Sequence, residues 1–331
     1  MTGPPVVLLA NPVAGGGAAG RIARQVVHTL AGLRVEVLPV YPGSPDEAGA
    51  AIAETVAAAE ARTGLRPRAL VAVGGDGTIR LGAGLAVESG LPLGVVPAGT
   101  GNGIAYSLGL PLDPWEACRV VARGTPEPCD LGRLVFTDGP GDGSTLFINV
   151  AGAGLDAVVA RTYRDGGLGV RGVPGYALAV LHSLATYRPV ALRLTVDGEP
   201  LATEALLVAV GNGGFYGKGV RVAPSASPAD GLLDVLIVLP LGLGELSGLL
   251  PLFLLGRHES HPRVRTLRVR EVVIEADPGE PRDVPVHADG DVVGSLPVRV
   301  SVVPGAVRVI LDRRRFPAPG TGESKLQVCE R

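Results

Sequence analysis

Leu70-Val71-Ala72-Val73-Gly74-Gly75-Asp76-Gly77-Thr78 decides how the rest of the chain is read. A Val-rich apolar run is a buried strand signal, and three glycines within four positions let the backbone turn sharply and come close to a ligand. The strand therefore delivers Asp76 to a glycine turn. N–H groups exposed in such a turn receive phosphate oxygens, while a lone carboxylate there can face a metal ion or a reacting hydroxyl. An ordinary strand-to-helix turn with Asp76 as a helix cap accounts for the same residues. The neighbouring segments have to decide.

Upstream, Pro5 to Ala10 reads as a strand ended by Asn11-Pro12, then a glycine loop, then a helix over Arg21 to Leu33 with apolar residues at helical spacing. Gly15, Gly17 and Gly20 fit G-x-G-x-x-G with Glu36 in the next strand, Val35 to Val40, yet with 49 glycines in the chain chance spacing explains the match. Pro45 to Arg62 reads as a helix capped by Ser44. Downstream come a helix over Ile79 to Glu88, a strand over Pro92 to Val96, and a third loop, Pro97-Ala98-Gly99-Thr100-Gly101-Asn102-Gly103. Strands alternating with helices predict a parallel sheet covered on both faces, with ligand at the carboxyl ends of the strands. Three such loops on one edge favour nucleotide phosphate. No Walker sequence occurs.

After the Pro114 to Arg123 helix the pattern changes near Asp130. Strands are predicted at Leu131 to Thr137, Thr145 to Ala151, Val190 to Val196, Ala205 to Gly211, Gly231 to Leu239, Val264 to Val269, Val272 to Ala276 and Val298 to Val303, with helical insertions at Gly154 to Arg164 and Pro174 to Tyr187. That density implies an antiparallel β-sandwich. The expected division is an α/β lobe over 1–129, a sandwich lobe over 130–307, and a disordered tail over 317–331. Asp289-Gly290-Asp291 pairs two carboxylates across one glycine, which is also a hairpin signal.

At 331 residues, 46% hydrophobic and 19% charged, the chain has ample core, and a net charge of -2 without a basic aromatic run argues against nucleic acid. Three cysteines with neither zinc nor disulfide spacing fit a reducing cytoplasm. The apolar Leu232 to Leu255 stretch is broken by Asp234, Pro240 and Glu245, so a strand and an apolar helix explain it better than a membrane span.

Taken in order, Asn11-Pro12, Gly74 to Thr78, Pro97 to Asn102, Phe147-Ile148-Asn149-Val150-Ala151-Gly152, Val210-Gly211-Asn212-Gly213, Asp230-Gly231-Leu232-Leu233-Asp234 and Asp289-Gly290-Asp291 resemble the diacylglycerol kinase catalytic-domain family. Its members include soluble bacterial lipid kinases, with sphingosine and ceramide kinases as relatives and NAD kinases more distant. The resemblance implies a three-layer α/β/α nucleotide-binding domain, rejoined by a returning segment at 308–316, and an antiparallel β-sandwich domain with a cleft between them. It implies ATP held near Asn11, Gly74, Gly75, Gly77, Thr78, Thr100 and Asn102, with Mg²⁺, and a lipid acceptor met transiently at a membrane surface. Asp289 matches the proposed catalytic base, and Asp76 would organise Mg²⁺ and orient the acceptor. Asp230 and the backbone of Leu232 match a structural metal site, with Asp130 and Asp291 in a linked acidic network. Three positions depart from the family pattern: Gly103 replaces an aspartate, Leu81 an acidic residue, and Asp291 the commoner glutamate. NAD kinase and a nucleotide- or lipid-binding protein without turnover are the alternatives, and a homodimer is compatible with the sequence.

Overall fold

The computed structural model describes residues 3–12, 18–137, 143–164, 169–170 and 172–313. Strand and helix alternate through the first lobe: β1 (Val6–Ala10), α1 (Ala18–Gly32), β2 (Val37–Val40), α2 (Pro45–Thr63), β3 (Ala69–Gly74), α3 (Asp76–Ser89), β4 (Leu93–Pro97), α4 (Gly103–Leu108) and α5 (Pro114–Arg123). Strands β2, β1, β3 and β4 pair in parallel in that order. Alternate residues face opposite layers, as strand geometry requires. Val7, Leu9, Leu70 and Ala72 pack with Ile52 of α2 and Ile79 of α3, whereas Val6, Leu8, Val71 and Val73 pack with Val26 of α1 and Val121 of α5. Both faces are covered, so the open edge lies at the strand ends. The Ser44 hydroxyl accepts the N–H of Glu47 at 3.3 Å and caps α2.

The second lobe comprises β5 (Thr125–Phe136), β6 (Ser144–Phe147), β7 (Val150–Gly154), α6 (Leu155–Arg164), α7 (Gly172–Thr186), β8 (Val190–Val196), β9 (Glu199–Ala205), β10 (Leu207–Gly211), β11 (Phe215–Tyr216), β12 (Val220–Arg221), β13 (Leu233–Val238), α8 (Leu243–Leu254), β14 (Val264–Val269), β15 (Glu271–Ala276), β16 (Pro285–Ala288), β17 (Asp291–Ser295) and β18 (Val298–Leu311). A six-stranded antiparallel sheet, β14-β13-β10-β7-β16-β17, packs through Val210, Val235 and Val286 on Leu134, Leu194 and Ile274 of the opposing sheet. This is the sandwich.

The opposing sheet is not separate from the first lobe. β18 runs 14 residues, pairing with β5 and β15 in the sandwich before Val309 comes opposite Leu93 of β4, so ten strands form one sheet through both lobes. The predicted Val298 to Val303 strand is therefore too short. Pro304-Gly305 hid the continuation: Gly305 adopts φ 58, and the pairing with β5 shifts register between Val303 and Val307. Asp130 supports this bend, its carboxylate accepting the N–H groups of Gly305 and Gly231, each at 2.7 Å.

Two further predictions need correction. The strand expected over Thr145 to Ala151 is two strands broken at Ile148-Asn149, and Ala205 to Gly211 is preceded by β9, joined to β8 through a turn with Asp197 at φ 46 and Gly198 at φ 93. The apolar 232–255 stretch is β13 followed by α8, and among the described residues no helix is long and apolar enough to cross a membrane. Cys118 and Cys129 are buried, which pushes both thiols up to about 12 and leaves them inert at neutral pH. The 13–17 loop and the 317–331 tail lie outside the described residues.

Candidate active site

β3 ends at Gly74, and Gly75 stands just before α3 in extended conformation. The first helical bond runs from the N–H of Ile79 to the carbonyl of Gly75. Those of Asp76, Gly77 and Thr78 therefore precede any carbonyl the helix can offer, which is the anion-binding end of a helix. Glycine at 74 is required because a Cβ would lie 2.6 Å from Cβ of Thr78, and a Cβ on Gly99 would lie 2.5 Å from Cα of Gly75. The two glycine loops thus touch backbone to backbone. Asn102, at φ 54, folds the second loop on itself, its Oδ1 accepting the N–H of Gly99 at 3.0 Å. Asn11 is exposed just beyond β1.

Asp76 is a helix cap, though of a helix remote in sequence. Its oxygens accept the N–H groups of Gly103 at 3.1 Å and Ile104 at 3.0 Å, the start of α4. Burial raises its pKa, and those backbone bonds oppose the rise. Gly103 allows the contact: a Cβ there would lie 2.9 Å from the Phe215 carbonyl and 3.0 Å from the Asn149 amide nitrogen. The family's aspartate has no room at that position. Leu81, the other departure, packs against the core of the first lobe.

Asp289 sits just past β16 at φ 49 and is partly buried. Its carboxylate accepts three backbone N–H groups, from Ile148 at 2.9 Å, Asn149 at 2.9 Å and Val150 at 3.0 Å. The break between β6 and β7 turns those groups inward. It is held by Asn212, fully buried, which donates to the carbonyls of Ile148 at 2.7 Å and Asp130 at 2.8 Å, and by the N–H groups of Asn212 and Gly213 on the Asn149 carbonyl. Burial pushes Asp289 up to about 6, while the three N–H groups and nearby Arg80 hold it back. A carboxylate so placed is ionised at neutral pH and accepts a proton more readily than an ordinary one.

Asp76, Thr100 and Gly101 from the first lobe and Asn149, Asp289 and Asp291 from the second line one cavity of about 580 Å³. The glycine turn and the distant acid therefore share a crevice. Asp291 spans it, its Oδ2 on Nη2 of Arg80 in α3 and its Oδ1 on Nη2 of Arg164 in α6, both at 2.8 Å.

The implied metal residues divide: the Asp130 carboxylate reaches the 230–232 loop through the N–H of Gly231, whereas Asp291 lies apart from it. Asp230 bonds the N–H of Leu232 at 3.1 Å and pairs with Arg268, Asp130 is occupied by two N–H groups, and Asp291 lies with its two arginines in the cavity wall. Among the described residues no three metal-ligating side chains gather in one place. Arg268 puts a positive charge against the Asp230 carboxylate. Asp76 stands beside Thr100 and Gly101 in the cavity wall, and Mg²⁺ ordinarily takes one or two carboxylates and completes its shell from phosphates and water.

Sequence reading missed Arg80, Arg164, Asp156, Tyr216 and His287, all at or beside the cavity. For His287 a signal existed, since it lies two residues before Asp289 and such spacing shares a strand face. The others come from elements far apart in the chain.

The α/β lobe is continuous with the β-sandwich, and Asp289 of the second shares a cavity with Asp76, Thr100 and Gly101 of the first. The model described as the diacylglycerol kinase catalytic domain matches residues 5–134, and that described as the YegS C-terminal NAD kinase beta sandwich-like domain matches 149–311. A diacylglycerol kinase of Mycobacterium tuberculosis is 33% identical over 313 residues, 93% of this chain and 95% of that protein. A Chromohalobacter salexigens protein named "Probable lipid kinase YegS-like" is 32% identical over 243 residues, 72% and 74% of the two chains. The crystal structure of a diacylglycerol kinase from Bacillus anthracis superposes with a TM-score of 0.71 at 21% identity, covering 94% of this chain and 98% of that one, a likeness of fold. The chain belongs to the diacylglycerol kinase catalytic-domain family.

Proposed function

We propose that the chain is an ATP- and Mg²⁺-dependent lipid kinase that phosphorylates a hydroxyl of diacylglycerol or a similar amphiphile, working in the cytoplasm and meeting the membrane surface transiently. The observation that carries this reading is the single cavity holding both Asp289 and the edge of the glycine loops. The N–H groups at the start of α3, with Thr100 and the folded-back loop at Asn102, would receive the phosphates. The acceptor oxygen forms a bond to the terminal phosphorus as the bond from that phosphorus to the bridging oxygen breaks, ADP leaves, and the hydroxyl proton passes to Asp289. Asp76 would hold Mg²⁺, whose charge would offset that developing on the phosphoryl oxygens. Asp76 fixes α4 and so keeps the two glycine loops in register.

Incubating the protein with a total lipid extract, ATP and Mg²⁺ and reading the products by mass spectrometry tests this. Gain of one phosphoryl group by a lipid, with added NAD unchanged, is the expected result. Phosphorylated NAD without any lipid product would favour the NAD kinase alternative, and ATP binding by calorimetry with no product would leave a binding protein.

A further inference from the structure

Arg80 has a donor edge that is only half used. It lies one helical turn past Asp76 and Gly77 in α3, on the same face as both. Helical side chains lean toward the N-terminus, so Arg80 covers the turn whose N–H groups are open to an anion. Its Nη2 donates to Oδ2 of Asp291 at 2.8 Å. Nε, on the same edge of the guanidinium, is buried and bonds nothing among the described residues. A buried donor without a partner is costly, and this one is kept beside the glycine turn.

Asp291 cannot fill that edge, because its two oxygens are divided. Oδ1 lies on Nη2 of Arg164 at 2.8 Å while Oδ2 serves Arg80. Oδ2 also sits over the glycine turn, since a Cβ on Gly77 would lie 3.3 Å from it. A negative oxygen therefore rests against the first turn of α3, where a phosphate oxygen would meet the same helix end and the same guanidinium. The carboxylate is placed to give way. Its side chain is 42% exposed, so its pair with Arg80 is weak, and Arg164 remains a partner when Arg80 turns aside. A terminal phosphate has the stronger claim, with more charge and with two oxygens spaced for Nε and Nη2 together. Against the burial that raises Asp289, the charge of Arg80 is among the influences that hold that acid down, so the guanidinium is felt at the base as well.

Resting on the reading that ATP phosphates lie at the start of α3, we propose that Arg80 binds the terminal phosphate of ATP through Nε and Nη2, and that Asp291 holds this arginine in the phosphate's stead until the nucleotide arrives. Arg80 then contacts non-bridging oxygens of the group that is transferred, and no covalent bond to Arg80 forms or breaks. Once that group has left on the acceptor, Asp291 takes Arg80 back. ADP lacks the terminal phosphate and leaves the pair of Arg80 and Asp291 intact.

Calorimetry of the full chain with Mg²⁺ tests this, comparing ADP with an ATP analogue whose β and γ phosphorus atoms are bridged by a methylene. Arg80→Met keeps the apolar stem and removes the donors. Affinity for the analogue is expected to fall about 10- to 100-fold, the strength of hydrogen bonds between charged groups, while affinity for ADP stays within about twofold of wild type. Asp291→Asn weakens the competing carboxylate and is expected to tighten the analogue about threefold with ADP unchanged. Equal losses for ADP and the analogue in Arg80→Met show a structural role and overturn the proposal, as does an unchanged affinity for the analogue. If that variant does not fold, the ratio of analogue to ADP affinity in Asp291→Asn decides: a rise supports the exchange, and a ratio at or below that of wild type overturns it. The lipid-kinase reading fails separately, on transfer to no lipid, and an Arg80-dependent preference for the analogue stands in that case. Wild type that binds neither nucleotide overturns both.

Discussion

Asp76 and Asp289 come from different lobes to line one cavity, and each is fixed by backbone N–H groups from another part of the chain. Asp76 takes two from the start of α4, which lies on the same lobe, and through them ties one glycine loop to the next. Asp289 takes three from the broken strand at 148–150, about 140 residues earlier in the chain, and burial still pushes it up to about 6. The same kind of hold serves different ends. On the proposed reading the first hold shapes a phosphate cradle, and the second presents a base whose proton affinity suits a neutral-pH reaction.

This contrast can be broken by substitution. Asp289→Asn removes the proton acceptor while keeping the size of the side chain, and kcat is expected to fall about 10³-fold, within the usual range for a general base. Asp76→Asn is expected to cost about 10- to 100-fold in kcat/KM, mostly as a raised KM for ATP, because it loosens α4 and the loop before it. Equal losses in kcat, with ATP affinity kept in both variants, would erase the distinction between the two acids.

The pH dependence sharpens it. Activity requires ionised Asp289, so kcat/KM should fall about tenfold per unit of pH below about 6. Stability should move the other way. The folded chain binds this proton more tightly than the unfolded chain does, so over the window from about 6 down to the ordinary carboxylate range near 4 the group's contribution to stability grows as pH falls. Urea melts of wild type and Asp289→Asn across that window read the difference, and parallel curves for the two proteins would contradict it. Gly99→Ala, which drives a methyl into Cα of Gly75, should raise KM for ATP about tenfold. Asp291→Asn weakens half-exposed pairs to Arg80 and Arg164 and should change kcat only a few-fold; a loss as large as that of Asp289→Asn would move the base to the wrong aspartate.

What could be read from sequence follows the reach of each interaction. The strand from Leu70 and its glycine turn are local, and they appear as β3 and the start of α3 where expected. The cap reading of Asp76 was half right, because the helix it caps begins 27 residues away. β18 escaped detection beyond Val303 since Pro304-Gly305 looks like a stop, and only Asp130, 175 residues upstream, turns it into a bend that joins the lobes. The inward N–H groups at 148–150 depend on Asn212, and nothing in the residues from 147 to 152 announces them. Asp291 grouped with Asp130 and Asp230 by resemblance, but the arginines at 80 and 164 draw it to the cavity wall.

Single-turnover transfer from γ-labelled ATP to extracted lipid, measured beside calorimetric ATP affinity in Asp289→Asn, tests the shared cleft most directly. The account predicts nucleotide affinity within about twofold of wild type and a transfer rate lower by about 10³. Transfer within tenfold of wild type at full ATP occupancy would contradict it.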